Sequence, residues 1–431
     1  MTIEATTDVS PFEVLTRYAV FSTTHEKTWW AKTGPLLGRI LASADYTLSR
    51  QLEALVFFRD AIIPYLGPYP QEFRSCITRS GLPLEFSVNY QQRGEIGPVV
   101  RIGVEPVHAA SGTAEDRFNQ QAVHGFLSVL GVLDIPGYDP FLFQHFFKTH
   151  VLSPDEMASL ARNKMEGCDS TSSAAFGFDL KPDTISVKGY TFPALKCHAN
   201  QMGFGDVIRQ SVNPLLPVMG AIPSMDMVNE YMDETDGYSQ FAFWSFDCVD
   251  PAKSRLKLYS SSNSVVWSKV QEIWTLGGRS NSAVVQKGLE HLKDLWQMIG
   301  LAEGHRDFGG HVDDFSPTPM VWNYEMKAGE AAPLTKFYFP VHGQSDKEII
   351  RGLSQFLDKI GLGCYGRAYE SAVRSYFPER DIDQTGRLTS WISFAYTEKT
   401  GVYLSVYYHS SLDYPWLKEE GAHMNGLVNA S

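Results

Sequence analysis

Three short segments place a basic residue two positions before a tyrosine: Lys188-Gly-Tyr190, Arg255-Leu-Lys257-Leu-Tyr259 and Lys336-Phe-Tyr338. A fourth, Tyr403-Leu-Ser-Val-Tyr407, keeps the tyrosines without the cation. Each lies in a run that reads as a β-strand, where side chains at i and i+2 share a face. Repeated on several strands, the pattern builds a ring of cations beside a ring of phenols. Such a surface suits a polyanion such as a diphosphate, with aromatic faces next to a developing carbocation. A buried lysine or arginine needs an anion. Structural carboxylates would supply one, and so would a bound phosphate group. The interleaved tyrosines favour phosphate, because a salt-bridge network does not require them.

The elements that must carry these residues come in five pairs of strand-like runs. They are Leu84–Tyr90 with Val99–Val104, Ala174–Leu180 with Thr184–Phe192, Ser239–Val249 with Ser254–Ser260, Pro319–Met326 with Leu334–Val341, and Thr389–Thr397 with Gly401–Tyr408. Turn-rich links such as Lys181-Pro-Asp183 and Lys327-Ala-Gly329 make each pair a hairpin. Helical periodicity fills the intervals, as in Asp116–Leu133, Val265–Thr275, Ser282–Leu301 and Ser345–Ile360. The expected fold is therefore α+β: a ten-stranded antiparallel barrel surrounded by helices. Closure removes the edges that so wide a sheet would expose, and ten strands enclose room for ligands.

Composition narrows the classes. The 431 residues contain no linker-like or low-complexity tract, so one domain, 1–431, is expected. A net charge of −12 argues against nucleic acid, whose binders show a basic face. No apolar run approaches the ~20 residues of a membrane helix. Residues Met1–Ser10 lack the features of a secretory signal. Five scattered cysteines (Cys76, Cys168, Cys197, Cys248, Cys364) form no CxxC and read as reduced thiols of a cytoplasmic protein. Asp233-Glu-Thr-Asp236 and Asp313-Asp314 faintly resemble magnesium-binding aspartates but sit beside turn residues and read as solvated loops. The histidines have no metal spacing, and Gly277-Gly278 and Gly309-Gly310 read as turns rather than phosphate loops. No metal site is expected.

In their order along the chain, these segments resemble the dimethylallyltryptophan synthase family of fungal aromatic (indole) prenyltransferases. The resemblance runs from Glu26-Lys-Thr-Trp-Trp30 to Tyr414-Pro-Trp416, through Leu84-Glu-Phe-Ser87, Phe178-Asp-Leu-Lys181, Lys188-Gly-Tyr190, Arg255-Leu-Lys257-Leu-Tyr259, Trp322-Asn-Tyr-Glu325 and Lys336-Phe-Tyr-Phe-Pro340. It implies the barrel of five αββα repeats (the ABBA fold) and transfer of a prenyl group, usually dimethylallyl, from its diphosphate to an electron-rich aromatic ring. It implies dimethylallyl diphosphate and a small aromatic acceptor as partners, no cofactor and no required metal; a homodimer is left open. By resemblance, Arg101, Lys188, Arg255, Lys257 and Lys336 hold the diphosphate, and Tyr190, Tyr259, Tyr338, Tyr403 and Tyr407 shield the allyl cation.

The resemblance makes Glu85 the catalytic group that accepts the indole N–H and raises the nucleophilicity of the ring. The residue-level alternative is a solvent-facing strand glutamate. Tryptophan-specific members carry a lysine where this chain has Ala175, which points to a larger indole acceptor, such as a tryptophan-containing cyclic dipeptide or an indole alkaloid. A phenolic, xanthone or quinone acceptor is the alternative, as is a non-catalytic isoprenoid- or aromatic-binding barrel. Without that lysine the final proton leaves through Glu85, a water or His409. Trp244 and Trp391 are expected either to line the acceptor pocket or to pack on outer helices. Met320 and Val321 are candidates for limiting the length of the prenyl chain.

Overall fold

The computed structural model describes residues 9–94, 97–160, 171–238, 242–307 and 318–412. Twelve strands lie within them: β1 (Leu84–Gln91), β2 (Val99–Val104), β3 (Ala174–Leu180), β4 (Ile185–Thr191), β5 (Phe243–Asp247), β6 (Arg255–Ser262), β7 (Ser264–Val265), β8 (Gly304–His305), β9 (Met320–Lys327), β10 (Leu334–Phe339), β11 (Thr389–Thr397) and β12 (Gly401–His409). β7 and β8 form a small ribbon. The other ten close an antiparallel barrel in the order β1-β12-β11-β10-β9-β6-β5-β4-β3-β2. The closing seam pairs β1 with β12, as in Glu85 opposite His409 and Ser87 opposite Tyr407.

Alternation explains why the barrel is lined with polar groups and wrapped in apolar ones. In β1, Leu84, Phe86, Val88 and Tyr90 are buried on the outer face, while Glu85, Ser87 and Asn89 have the opposite parity. Helices cover the outer faces through aromatic contacts. Phe58 meets Phe86 edge-on at 5.6 Å, and Phe143 of the helix Phe141–His150 stacks on Phe176 of β3 at 4.4 Å. Apolar burial is thus concentrated between barrel and helices, which leaves the lumen free for chemistry.

The expected strands are present, three of them with the expected bounds and the others shifted by at most four residues at an end. Of the expected run Ser239–Val249, the ladder takes Phe243–Asp247, and residues 239–241 lie outside the described residues. The helix expected at Asp116–Leu133 begins at Gln121. The Asp116 carboxylate explains the difference: it accepts the N–H groups of Gln120 and Gln121, an alternative to helical bonding that holds the preceding turn open. The helices Ala283–Ile299 and Asp346–Lys359 match expectation closely, and Gly363–Tyr376 forms a further helix beside the latter. Cys168, Gly309-Gly310, Asp313-Asp314 and Tyr414-Pro-Trp416 lie outside the described residues.

Candidate active site

The cation-tyrosine strands all turn these side chains inward, onto one cavity whose lining includes Glu85, Arg101, Lys188, Arg255, Lys257 and Lys336. The five basic residues come from β2, β4, β6 and β10. Carboxylates interleave them. Asp179 lies 2.9 Å from Arg101 Nε and accepts from Lys188 Nζ through both oxygens, at 2.5 and 2.6 Å. Asp247 accepts from Arg255 Nε at 2.6 Å and from Lys257 Nζ at 3.1 Å. Glu325 reaches Arg255 Nη1 at 3.2 Å. Lys336 forms no ion pair among the described residues; its ammonium sits 4.8 Å from the ring centre of Tyr403 and 5.6 Å from that of Tyr338.

With Glu85 protonated, five cations thus face three carboxylates, a formal surplus of two positive charges in an enclosed lumen. The titration behaviour follows. Burial raises the pKa of Asp179, but Arg101 and Lys188 outweigh it and hold the carboxyl well below its usual range. Asp247 is depressed in the same way by Lys257 and Arg255. Burial pulls the Lys188 ammonium down to about 8, although Asp179 supports its charge. Burial, with repulsion from Arg101 and Lys188, pushes Lys336 well below the normal lysine value. The cluster is therefore short of negative charge, and a diphosphate would supply it.

The phenols form an arc beside the cations. Neighbouring ring centres are 6.3 Å apart for Tyr190 and Tyr259, 5.9 Å for Tyr259 and Tyr338, and 6.1 Å for Tyr338 and Tyr407. Phe243, which the motifs do not reveal, stacks on Tyr259 at 4.1 Å and joins the arc. Tyr403 belongs with the cations: its hydroxyl accepts from Arg101 and its ring stands near Lys336. Aromatic faces offer negative quadrupole to a cation without offering a nucleophile as strong as water.

Glu85 opens onto the same cavity. Burial pushes its carboxyl up to about 8. Its register partner on β2 is Gly103, and a Cβ there would lie 2.9 Å from Glu85 Cγ and 3.2 Å from Oε1. Gly103 itself faces Gly177 of β3, where a Cβ would come within 3.2 Å of the Tyr190 ring. The two bare backbones thus let the Glu85 side chain lie over Gly103 and the Tyr190 ring lie over Gly177. Ala175, opposite Tyr190 in the register, continues that wall with a small side chain. On the other flank His409 faces Glu85 across the seam; its Nε2 lies 3.2 Å from His342 Nδ1, and burial lowers its pKa to about 4, so it is neutral at physiological pH.

Two expected pocket residues do not reach the lumen. Trp244 has outward parity and meets Phe146 of the covering helix edge-on at 5.8 Å. Met320 shares the outward face of β9 with Trp322 and with Tyr324, whose hydroxyl donates to the Ile273 carbonyl of the helix Trp267–Trp274. Aromatic and thioether side chains at these positions fill the space between barrel and helices. Val321, opposite Tyr338, and Trp391, opposite Tyr407, have inward parity. The carboxylates Asp179, Asp247 and Glu325, which pair with the basic residues, are the candidate site residues that motif reading missed. Their strand parity, matching that of the basic residues across the ladder, was the available signal. The acidic stretch at Asp233–Asp236 forms surface ion pairs instead, with Asp233 on Arg209 and Glu234 on Arg279. Among the described residues no group of three or more His, Cys, Asp or Glu is arranged to hold a metal.

Comparison with known proteins agrees with this geometry. The family model described as tryptophan dimethylallyltransferase matches residues 25–372. The chain is 61% identical to prenyltransferase phqI of Penicillium fellutanum, over 95% of this chain and 94% of that protein. It is 40% identical to deoxybrevianamide E synthase notF of an Aspergillus species, over 94% and 92% of the two chains. The crystal structure of NotF in complex with brevianamide F and DMSPP superposes with a TM-score of 0.85 at 39% identity, covering 94% of this chain and all of that one. AnaPT from Neosartorya fischeri gives 0.82 at 28% identity, covering 93% of this chain and 98% of that one.

Proposed function

The chain belongs to the tryptophan dimethylallyltransferase family, and from that premise we propose that it transfers a dimethylallyl group from its diphosphate to the indole ring of an acceptor larger than free tryptophan, such as a tryptophan-containing cyclic dipeptide. The observation that carries the reading is the surplus of two positive charges set directly against an arc of aromatic rings. A barrel that had lost catalysis would have no reason to keep either.

In the first step the allylic C–O bond breaks and its electron pair leaves with the diphosphate. Arg101, Lys188, Arg255, Lys257 and Lys336 hold that leaving group, and their hydrogen bonds strengthen as charge moves onto it. No metal is required in this reading. Tyr190, Tyr259, Tyr338 and Tyr407 face the allyl cation, while the closed wall keeps out the water that would quench it. An indole carbon then attacks. Glu85 accepts the ring N–H and feeds electron density into that carbon, since an indole nitrogen can only donate. The attacked carbon loses its proton to restore aromaticity; Glu85 and His409 are the groups at hand. The small side chain of Ala175, opposite Tyr190 in the register, supports an acceptor with bulk beyond the indole. The closed ten-stranded barrel, whose first and last strands pair, supports reading the chain as a single domain. No described helix is long and apolar enough to cross a membrane, and a cytoplasmic location belongs to the same proposal.

The test is incubation with dimethylallyl diphosphate and a panel of free tryptophan, tryptophan-containing cyclic dipeptides and phenols, followed by mass spectrometry. A prenyl unit added to a cyclic dipeptide in preference to tryptophan supports the reading. Release of diphosphate with no prenylated indole from any panel member sinks it.

A further inference from the structure

The cations in the lumen are not equivalent. Arginines 101 and 255 keep their charge at any physiological pH. Lys257 shares Asp247 with Arg255. Lys188 has one direct counterion, Asp179, which grips its ammonium with both oxygens. The other groups facing it are Arg101 from β2, Lys257 from β6 and Lys336 from β10, all repulsive, and the more distant Asp247 from β5. Asp179 is also the register partner of Arg101, 2.9 Å from its Nε. It stands on the strand between those of Arg101 and Lys188 and touches both.

We propose that Asp179 is a positioning residue that aims Lys188 and Arg101 at one point of the lumen and keeps Lys188 an ammonium until a prenyl diphosphate arrives. The inference rests on the prenyl-transfer reading above. Without a neighbouring carboxylate, a buried lysine beside an arginine and two further lysines sheds its proton. Replacing Asp179 with asparagine therefore removes a negative charge and, over part of the pH range, a positive one as well. The surplus of positive charge then grows by one at low pH and returns to its natural value at high pH, where the Lys188 ammonium is no longer there to contact the diphosphate. The burial that pulls the Lys188 pKa down to about 8 even with Asp179 present is consistent with this dependence.

The experiment measures binding of the unreactive thiolodiphosphate analogue of dimethylallyl diphosphate to the full chain by calorimetry. It compares the natural protein with Asp179→Asn, Lys188→Arg and the double variant between about pH 6 and pH 9, the window in which the lysine is expected to titrate. Ratios at each pH cancel the titration of the ligand itself. The affinity of Asp179→Asn relative to the natural chain should be near unity or better at the acidic end. It should fall by up to about tenfold for each pH unit between the shifted pKa and about 8, where the natural Lys188 itself titrates and the ratio levels off. Lys188→Arg should flatten the alkaline loss in both backgrounds, because a guanidinium cannot deprotonate. A ratio that stays constant with pH means that Asp179 acts only as scaffold and overturns the proposal. If Asp179→Asn does not fold, Asp179→Ser, which also removes the charge, is read by the same ratio, and a value constant with pH overturns the idea equally. The underlying reading fails separately, if Lys188→Ala binds the analogue as tightly as the natural chain at every pH.

Discussion

Glu85 and Lys188 titrate in the same region for opposite reasons, and the pH profile should show both. Burial raises Glu85 to about 8, so the carboxylate proposed to accept the indole N–H gains population as pH rises through that value. Burial lowers Lys188 to about 8, so the ammonium proposed to hold the diphosphate is lost over the same interval. The expected kcat/KM profile is a narrow bell centred near pH 8. Glu85→Gln removes the acidic limb and lowers prenyl transfer to an indole by orders of magnitude. Slow release of diphosphate persists, because ionisation depends on other residues. Unchanged transfer in that variant would mean that Glu85 does not touch the acceptor, and would redirect the search to phenols and quinones. Lys188→Ala and Arg255→Ala should each lower kcat/KM by roughly 10²-fold, the scale of one preorganised charged donor. Asp179 keeps Arg101 in the first variant and Asp247 keeps Lys257 in the second, whereas Glu325 loses its ion pair with Arg255, so the second variant is first checked for folding. Folded variants with natural rates would refute the assignment of these side chains to the leaving group.

At the scale of the element, one strand serves two environments, and β4 shows how strictly. Lys188 and Tyr190 point into the lumen, so Gly189 between them faces the helices. A Cβ at Gly189 would meet Phe246 at 2.5 Å and Phe143 at 2.7 Å. The glycine of the Lys-Gly-Tyr motif is thus required by the aromatic packing behind the strand, not by the chemistry in front. Gly189→Ala should destabilise the protein by about 1–3 kcal/mol through overpacking. Thermal unfolding followed by circular dichroism checks this, and an unchanged melting temperature would mean that the outer layer yields easily. The same two-sidedness puts Trp244 and Met320 among the helices, while Val321, one residue from Met320, faces Tyr338. Which face a residue occupies is settled by a single step in register.

The whole molecule turns ten such strands into one enclosed electrostatic device. Closure through β1 and β12 brings Glu85 near one end of the sequence to His409 and Tyr407 near the other. The carboxylates that neutralise part of the cation ring arrive from β3, β5 and β9, and leave a surplus of two positive charges on the lumen wall. That surplus offsets a large part of the charge of a diphosphate without a bridging divalent cation. Turnover in excess EDTA should therefore remain close to that of the untreated enzyme. Complete loss of activity in EDTA, restored by magnesium, would mean that the cation ring is not enough to carry the leaving group.

The five strand pairs, their alternation and the basic-residue-to-tyrosine spacing were legible in the chain because they are short-range properties. A period of two needs only neighbouring residues to declare itself. Resemblance in segments such as Phe178-Asp-Leu-Lys181 and Lys336-Phe-Tyr-Phe-Pro340 added the family and its chemistry. The chain alone posed the counterion question as a choice, with either carboxylates or a phosphate satisfying the buried cations. The tertiary structure shows carboxylates pairing with four of the five cations, Arg255 twice over, and with Lys336 not at all among the described residues. Such pairing joins residues from different strands, as Asp247 joins Lys257 or Glu325 joins Arg255, and depends on barrel shear that no local pattern encodes. Closure likewise decided that Phe243 joins the aromatic arc, that Trp244 leaves the pocket, and that Gly103 and Gly177 make room for the side chains of Glu85 and Tyr190. Each of these follows from which side of a closed sheet is inside, a property of the whole ring rather than of any strand in it.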